Sequence, residues 1–306
     1  MIVAVFPGQG SQTPGFLSPW LEMEGARERL EVFSDHAQVD LVAAGTEWDA
    51  DDIRDTSVAQ PLIVAASLLS WGALGERTSA GPSGVAGHSV GEFAALAAAG
   101  VLSPDDAMRL VGIRGRAMAD AAGAEDTGMS AVLGGDQDAV VARLTELGLT
   151  PANYNGGGQI VAAGAVRALA ALAEQPVAGT RVIPLQVAGA FHTSYMAAAA
   201  ETLRDAAAET EAFNPQLTLW TNGDGSIVDN GRRALDLVVG QVASPVRWDL
   251  CMEAFAQAGV SGIIEFSPAG TLVGLAKRAL RGVPSVAVKT PDDLDAAAAL
   301  LSEGNA

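Results

Sequence analysis

Short apolar runs rich in β-branched residues alternate along this chain with longer segments whose apolar residues recur at helical spacing. Ile2 to Phe6 reads as a buried strand, and it runs into Pro7-Gly8-Gln9-Gly10-Ser11-Gln12, a turn too glycine-rich to continue as strand or helix. Ala59 to Leu74 is largely apolar and helical, and the polar connector Gly75 to Pro82 leads into a second short run, Gly84-Val85-Ala86. An alanine-rich helix follows from Glu92 to Ala99. Another helix starts where Ser103 can cap, Pro104 takes the first position, and Asp105 and Asp106 complement the dipole; its apolar spacing continues to about Ala122.

The middle of the chain has a different rhythm. Ser130 to Leu133 reads as strand, Asp136 to Leu147 as helix, Ala152 to Asn155 and Gln159 to Ala163 as strands, Val166 to Glu174 as helix and Arg181 to Leu185 as strand. The order β-α-β-β-α-β defines a ferredoxin-like unit, predicted here as an insertion over 128–185 within a larger domain formed by 1–127 and 186–306. Past His192 the pattern gives a helix to about Glu209, a strand Leu217 to Thr221, and helices near Arg233 to Val242 and Trp248 to Ala258. A strand Gly262 to Phe266, a helix Thr271 to Leu280, a strand Ser285 to Val288 and a terminal helix from Asp292 complete an alternation that implies a mostly parallel sheet.

Composition narrows the function. The 306 residues allow one large α/β domain, alone or with a smaller insertion. No apolar run is expected to cross a bilayer, and Met1 to Phe6 lacks a basic flank and cleavage site, so a cytoplasmic protein is expected, with no membrane partner. The net charge of −18 argues against a nucleic-acid partner. Cys251 is the single cysteine, which excludes an internal disulfide or a multi-thiolate metal site and suits a buried structural role. With only His36, His88 and His192 present, a general base has few places to be.

Gly87-His88-Ser89-Val90-Gly91, between an apolar run and a helix, reads as a nucleophile elbow: a sharp turn pushes the serine hydroxyl outward, while glycines at either end let strand and helix approach closely. The same pattern also occurs in ordinary strand-to-helix turns. His88 leaves the turn in a different direction from its neighbour and reads as support for the elbow; His36 lies in a polar segment. His192, in the small-residue loop Val187 to Thr193, is the base candidate. An α/β-hydrolase would place an acid and then a histidine near its C-terminus. Here more than a third of the chain lies beyond His192, so a serine hydrolase takes second place. A docking module with an inert serine is the non-enzymatic alternative. Arg114 sits among apolar helical positions and needs an anionic partner, either a substrate carboxylate or an internal salt bridge with Glu92 or Asp120. Arg116 faces elsewhere and is expected at the surface.

Taken in order, Gly8-Gln9-Gly10-Ser11-Gln12, Gln60-Pro61, Gly87 to Glu92, Arg114-Gly115-Arg116, Asn153-Tyr154-Asn155, Phe191-His192 and Gln241 to Val246 resemble the motifs of the malonyl-CoA:acyl carrier protein transacylases and the related acyltransferase domains of polyketide synthases. The resemblance covers essentially the whole chain; Phe266 to Gly270 departs from the family's usual Gly-Pro-Gly turn. It implies an α/β-hydrolase-like main domain with a ferredoxin-like insertion, and transfer of a malonyl group from malonyl-CoA to the phosphopantetheine thiol of an acyl carrier protein. By the same resemblance Ser89 is the nucleophile, His192 the base, Arg114 the carboxylate ligand, and the N–H groups of Gln9 and Val90 the oxyanion hole. The main-chain carbonyl at Gln241 would orient His192, so no third acid is needed. No metal or bound cofactor is implied. Phe191 is expected to wall the acyl pocket. Asn153, Tyr154 and Asn155 border the cleft, where Asn155 can bind substrate; loop amides also form turns, and Pro61 beside Gln60 can simply open a helix. Lys277, Arg278 and Arg281, within two turns of one helix, offer either a basic docking patch for an acidic carrier or charges that complement the helix dipole.

Overall fold

Two sheets divide the molecule in the computed structural model, which describes residues 1–304. The chain forms β1 (Ile2–Phe6), α1 (Ala26–Ala37), α2 (Leu41–Thr46), α3 (Thr56–Arg77), β2 (Gly84–Gly87), α4 (Gly91–Ala98) and α5 (Pro104–Ala122). Then come β3 (Thr127–Gly134), α6 (Gln137–Glu146), β4 (Thr150–Gly156), β5 (Gln159–Ala165), α7 (Val166–Glu174) and β6 (Thr180–Pro184). The last part contains α8 (Ala197–Ala208), β7 (Thr218–Leu219), α9 (Gly231–Gln241), α10 (Trp248–Gln257), β8 (Gly262–Glu265), α11 (Thr271–Ala279), β9 (Ser285–Ala287) and α12 (Leu294–Gly304).

The larger part is built on a five-stranded sheet in the order β7-β2-β1-β8-β9, parallel throughout. Its central strands are buried end to end, as apolar β-branched strands must be when helices cover both faces. One face puts Ala4 and Phe6 into a core shared with α3, α4 and α5, Phe6 meeting Trp71 of α3 edge-on. The other packs Val3 and Val5 against Trp248, Phe255 and Leu272. The smaller sheet, in the order β4-β5-β3-β6, is antiparallel and has its own core of Val132, Val140, Leu144, Ile160 and Leu172. A bridge from Asn153 to Val246 ties its β4 edge to the loop before α10, closing a cleft between the two sheets.

Several elements depart from the sequence reading. Helix α3 starts at Thr56 because Asp55 accepts the Ser57 N–H as a cap, so Pro61 lies inside it rather than opening it. It continues to Arg77, through part of the expected connector. By length and hydropathy (mean 1.5) α3 could cross a bilayer, contrary to expectation, but 72% of that window is buried inside the protein: it is apolar all round because helices and sheet surround it. The expected strand Leu217 to Thr221 shortens to β7, beyond which Trp220 keeps one bond to the Val85 carbonyl at 3.2 Å and forms an isolated antiparallel bridge with Ile227. Helices α1 and α2 have no counterpart in the sequence pattern; α2 starts where Asp40 caps Ala43. Arg116 is half-buried, donating to the Ala37 carbonyl at 2.7 Å and pinning α5 to the end of α1.

Candidate active site

The elbow between β2 and α4 holds Ser89 at φ +53°, a left-handed backbone that only close-fitting surroundings sustain. Its flanking glycines are sterically fixed. A Cβ on Gly87 would lie 2.0 Å from the Gly91 carbonyl carbon, and one on Gly91 would lie 2.2 Å from the Phe6 carbonyl oxygen, so no larger residue fits where helix meets sheet. Asn222, in the loop after β7, clamps the turn: its Oδ1 accepts the Ser89 N–H at 2.7 Å and its Nδ2 donates to the Gly87 carbonyl at 2.6 Å.

His192 comes from the loop between β6 and α8, also in a left-handed conformation at φ +59°. Its Nε2 lies 2.7 Å from Ser89 Oγ and its Nδ1 lies 2.8 Å from the main-chain carbonyl of Gln241, at the end of α9. A carbonyl only accepts, so Nδ1 carries the proton and the Nε2 lone pair faces the hydroxyl. Burial, with the Arg114 charge beside it, pushes the imidazole down to about 3. It is therefore neutral, and able to accept a proton, throughout the physiological range.

Arg114 projects from α5 and is almost fully buried, yet no protein carboxylate pairs with it among the described residues. Its Nη1 donates to Gln60 Oε1 at 2.5 Å, and its Nη2 to Gln241 Oε1 at 3.0 Å and Ser89 Oγ at 3.4 Å. Nε has no acceptor among the described residues. Burial, opposed by the Glu92 charge, lowers its pKa to about 10, still well above neutrality. A buried, permanently charged fork with polar but uncharged neighbours has the chemistry to receive an anion.

These groups line a small cavity of about 90 Å³ bounded by Gln9, Val90, Met118, Met129, Asn153 and Phe191. The main-chain N–H groups of Gln9 and Val90 have no protein acceptor among the described residues. The Gln9 amide donates to the Arg54 carbonyl and to Thr56 Oγ1, which fixes the first loop against the start of α3. A larger hollow of about 270 Å³ beside Trp71 and Phe33 shares none of these residues.

The structure thus brings Ser89, His192, Arg114, Gln9, Val90 and Phe191 to one cavity, with Gln241 behind them, bonded to Arg114 and His192. Asn155 does not line it: its Oδ1 sits 2.9 Å from His88 Nε2, and Asn153, two residues earlier on the same side of β4, faces the cavity instead. His88 supports the elbow, and burial holds its pKa low. His36 is half-exposed, 3.5 Å from Asp105. Asn222 and the buried Glu92 were missed as site groups, since a lone loop amide and a helix glutamate carry no signal by themselves. Cys251 is buried, and its thiol is pushed up by burial and by Glu92. Among the described residues no cluster of His, Cys, Asp or Glu is arranged to hold a metal ion.

Comparison with known proteins follows the same lines. Residues 3–292 match the acyl transferase domain family. The chain is 52% identical over 297 residues to the malonyl CoA-acyl carrier protein transacylase of Mycobacterium tuberculosis (strain ATCC 25618 / H37Rv), covering 96% of this chain and 98% of that one. It superposes on the crystal structure of MCAT from Mycobacterium tuberculosis with a TM-score of 0.95 at 53% identity, covering 97% and 99% of the two chains. A malonyl-transacylase solved in complex with a type II polyketide synthase acyl-carrier protein gives a TM-score of 0.93 at 30% identity, covering 98% and 99%.

Proposed function

The chain belongs to the acyl transferase domain family, and from that premise we propose that it moves a malonyl group from malonyl-CoA to the phosphopantetheine thiol of an acyl carrier protein, by way of malonyl-Ser89. The enzyme is an acyltransferase that supplies extender units for fatty-acid synthesis. The polyketide carrier in the complex of its structural relative makes that pathway an equally compatible destination.

In the first half-reaction Ser89 Oγ attacks the thioester carbonyl while its proton passes to His192 Nε2, already 2.7 Å away. Negative charge develops on the carbonyl oxygen, for which the free N–H groups of Gln9 and Val90 serve as donors. Collapse breaks the C–S bond, and the coenzyme A sulfur takes the proton from His192. The carrier thiol then repeats the sequence in reverse: it gives its proton to His192, attacks the ester, and Ser89 leaves with that proton. The thioester supplies the driving force, so the mechanism calls for no metal or bound cofactor.

Arg114 receives the malonyl carboxylate, the partner its buried fork lacks. Binding that carboxylate also offsets the charge that depresses His192, so the acidic acyl group strengthens the base that acts on it. Phe191 walls the acyl α-carbon. Asn155 acts through His88, and Asn153 takes its expected place beside the acyl group.

The finer architecture fits this reading. A parallel sheet with the nucleophile between β2 and α4 supports an α/β-hydrolase-like main domain. The antiparallel order β4-β5-β3-β6, with two helices, supports a ferredoxin-like insertion near 128–185 between main-domain segments 1–127 and 186–306, β3 starting one residue earlier. We assign the protein to the cytoplasm, with neither nucleic acid nor membrane as partner, in keeping with its net charge of −18.

The observation that carries the function is the buried, carboxylate-free Arg114 beside the Ser89–His192 pair. Intact-mass measurement after mixing with malonyl-CoA tests it. A malonyl adduct should form, disappear when holo carrier protein is added, and be absent in Ser89→Ala. Adduct formation in that variant, or discharge to water at the same rate with and without carrier, overturns the reading.

A further inference from the structure

Glu92 follows the elbow by less than one helical turn and is buried on α4. Its Oε1 accepts the main-chain N–H of Asn222 at 2.9 Å, and its Oε2 accepts a close hydrogen bond from Gln241 Nε2. Both partners hold reacting groups. Asn222 clamps Ser89 N–H and Gly87 O, while Gln241 Nε2 also donates to the Ser89 carbonyl at 3.0 Å. From the other end of the same residue, Gln241 Oε1 accepts from Arg114 Nη2 at 3.0 Å and the main-chain oxygen faces His192 Nδ1.

The two ends of a glutamine amide have opposite hydrogen-bonding character, so its orientation matters. An ionised carboxylate only accepts, and it therefore requires the –NH₂ end of Gln241 to face it. That turns the amide oxygen toward Arg114. We infer that Glu92 is a positioning residue that fixes the direction of the Gln241 amide and thereby aims the Arg114 guanidinium at the acyl group carried by Ser89. The inference rests on the proposed reading of Ser89 and Arg114 and extends it to a residue that touches no substrate.

An intervening amide has a physical advantage over direct pairing. A carboxylate set against Arg114 would fill the fork that the malonyl carboxylate needs, and would neutralise it permanently. Through Gln241, Glu92 supplies orientation and a nearby negative charge while leaving the fork open; Arg114 accordingly has no carboxylate within ion-pair distance among the described residues.

Glu92→Gln in the full chain separates these roles. The new amide has a single acceptor for two facing donors, Asn222 N–H and Gln241 –NH₂. Satisfying both turns the Gln241 amide over and sets its –NH₂ against the Arg114 donors. The rate of malonyl-Ser89 formation per concentration of malonyl-CoA is expected to fall about 10- to 100-fold, mostly through KM, the loss typical of a charged hydrogen bond replaced by an unpaired donor. Acylation by acetyl-CoA, which has no carboxylate for Arg114 to bind, should fall much less. Glu92→Asp keeps the charge and a short reach to Asn222 but draws back from Gln241; it should show the same narrowing of preference, more weakly, and covers the case in which Glu92→Gln does not fold. Equal losses for both acyl groups in a folded variant, or an unchanged preference for malonyl, overturns the inference. Failure of the unaltered protein to form the malonyl adduct instead overturns the functional reading.

Discussion

His192 is oriented by the main-chain carbonyl of Gln241, 2.8 Å from its Nδ1, and not by an acidic side chain. A carbonyl fixes the tautomer without adding a charge that would hold the imidazolium, so in the proposed role of base the buried ring would return its proton readily. Replacing His192 by Ala should slow acylation of Ser89 by about 10²–10⁴-fold while leaving malonyl-CoA binding intact. Stopped-flow or quenched mass measurement of the adduct checks it, and an unaltered rate would move the base elsewhere.

Removing Arg114 should weaken malonyl-CoA selectively. In Arg114→Ala, acetyl-CoA should become a comparable or better acyl donor, measured as the ratio of kcat/KM for the two substrates. The same variant should raise the His192 pKa above about 3, because Arg114 is one of the two largest causes that lower it. Histidine ring shifts followed by NMR titration report that directly. A ratio that does not move would return Arg114 to a structural role.

Glu92 sets the expected pH dependence. Burial raises its carboxyl to about 7 against the opposing pull of Asn222, Gln241 and Arg114, whereas His192 titrates near 3 and His88 is also lowered. Arg114 and the buried Cys251 thiol, the other groups around it, do not change charge near neutrality. As pH falls through about 7, Glu92 takes up a proton, its hold on Gln241 loosens, and kcat/KM for malonyl-CoA should fall. Stability runs the other way. A carboxyl whose folded pKa lies above its ordinary 4.5 contributes stability that is complete below 4.5 and is lost as pH rises through about 7. Glu92→Gln should remove both the acid limb of kcat/KM and that slope in thermal stability; a limb that persists belongs to another group.

Phe191 is buried against the cavity beside His192. It should exclude a methyl group on the acyl α-carbon, giving a preference for malonyl over methylmalonyl of about 10- to 200-fold. Phe191→Ser should narrow that preference, read by competition between the two thioesters.

The basic cluster is smaller than its spacing implies. Helix α11 ends at Ala279, so Arg281 lies in the turn beyond it, and Arg278 donates to Gln159 of the small sheet at 3.3 Å. Lys277 and Arg281 remain exposed. Lys277→Glu and Arg281→Glu should raise KM for the carrier protein, most steeply at low salt, without changing acylation by malonyl-CoA. Unaltered carrier kinetics would place docking on another face.

The sequence by itself determined what local rules govern. Short apolar runs bounded by turn residues are too short for helices and favour buried strands, so β1, β2 and β8 were legible, as were the serine–proline start of α5 and the elbow glycines, whose small size is a steric requirement. The β-α-β-β-α-β order of the small sheet was readable for the same reason, since each turn interrupts a short periodic run. Helix α3 shows where local rules stop: its length and its interior Pro61 depend on a cap at Asp55 and on burial from every side. The site depends most on tertiary structure. Ser89 and His192 are 103 residues apart, and Glu92 and Gln241 149 apart, yet each pair is in hydrogen-bond contact. A hydrogen bond depends on distance and direction in space, and neither is written in residue type or spacing; Asn155, turned to His88 by its place on β4, and Glu92, turned from a possible ion-pair partner of Arg114 into the anchor of Gln241, acquired their roles only when the two sheets and α9 came together.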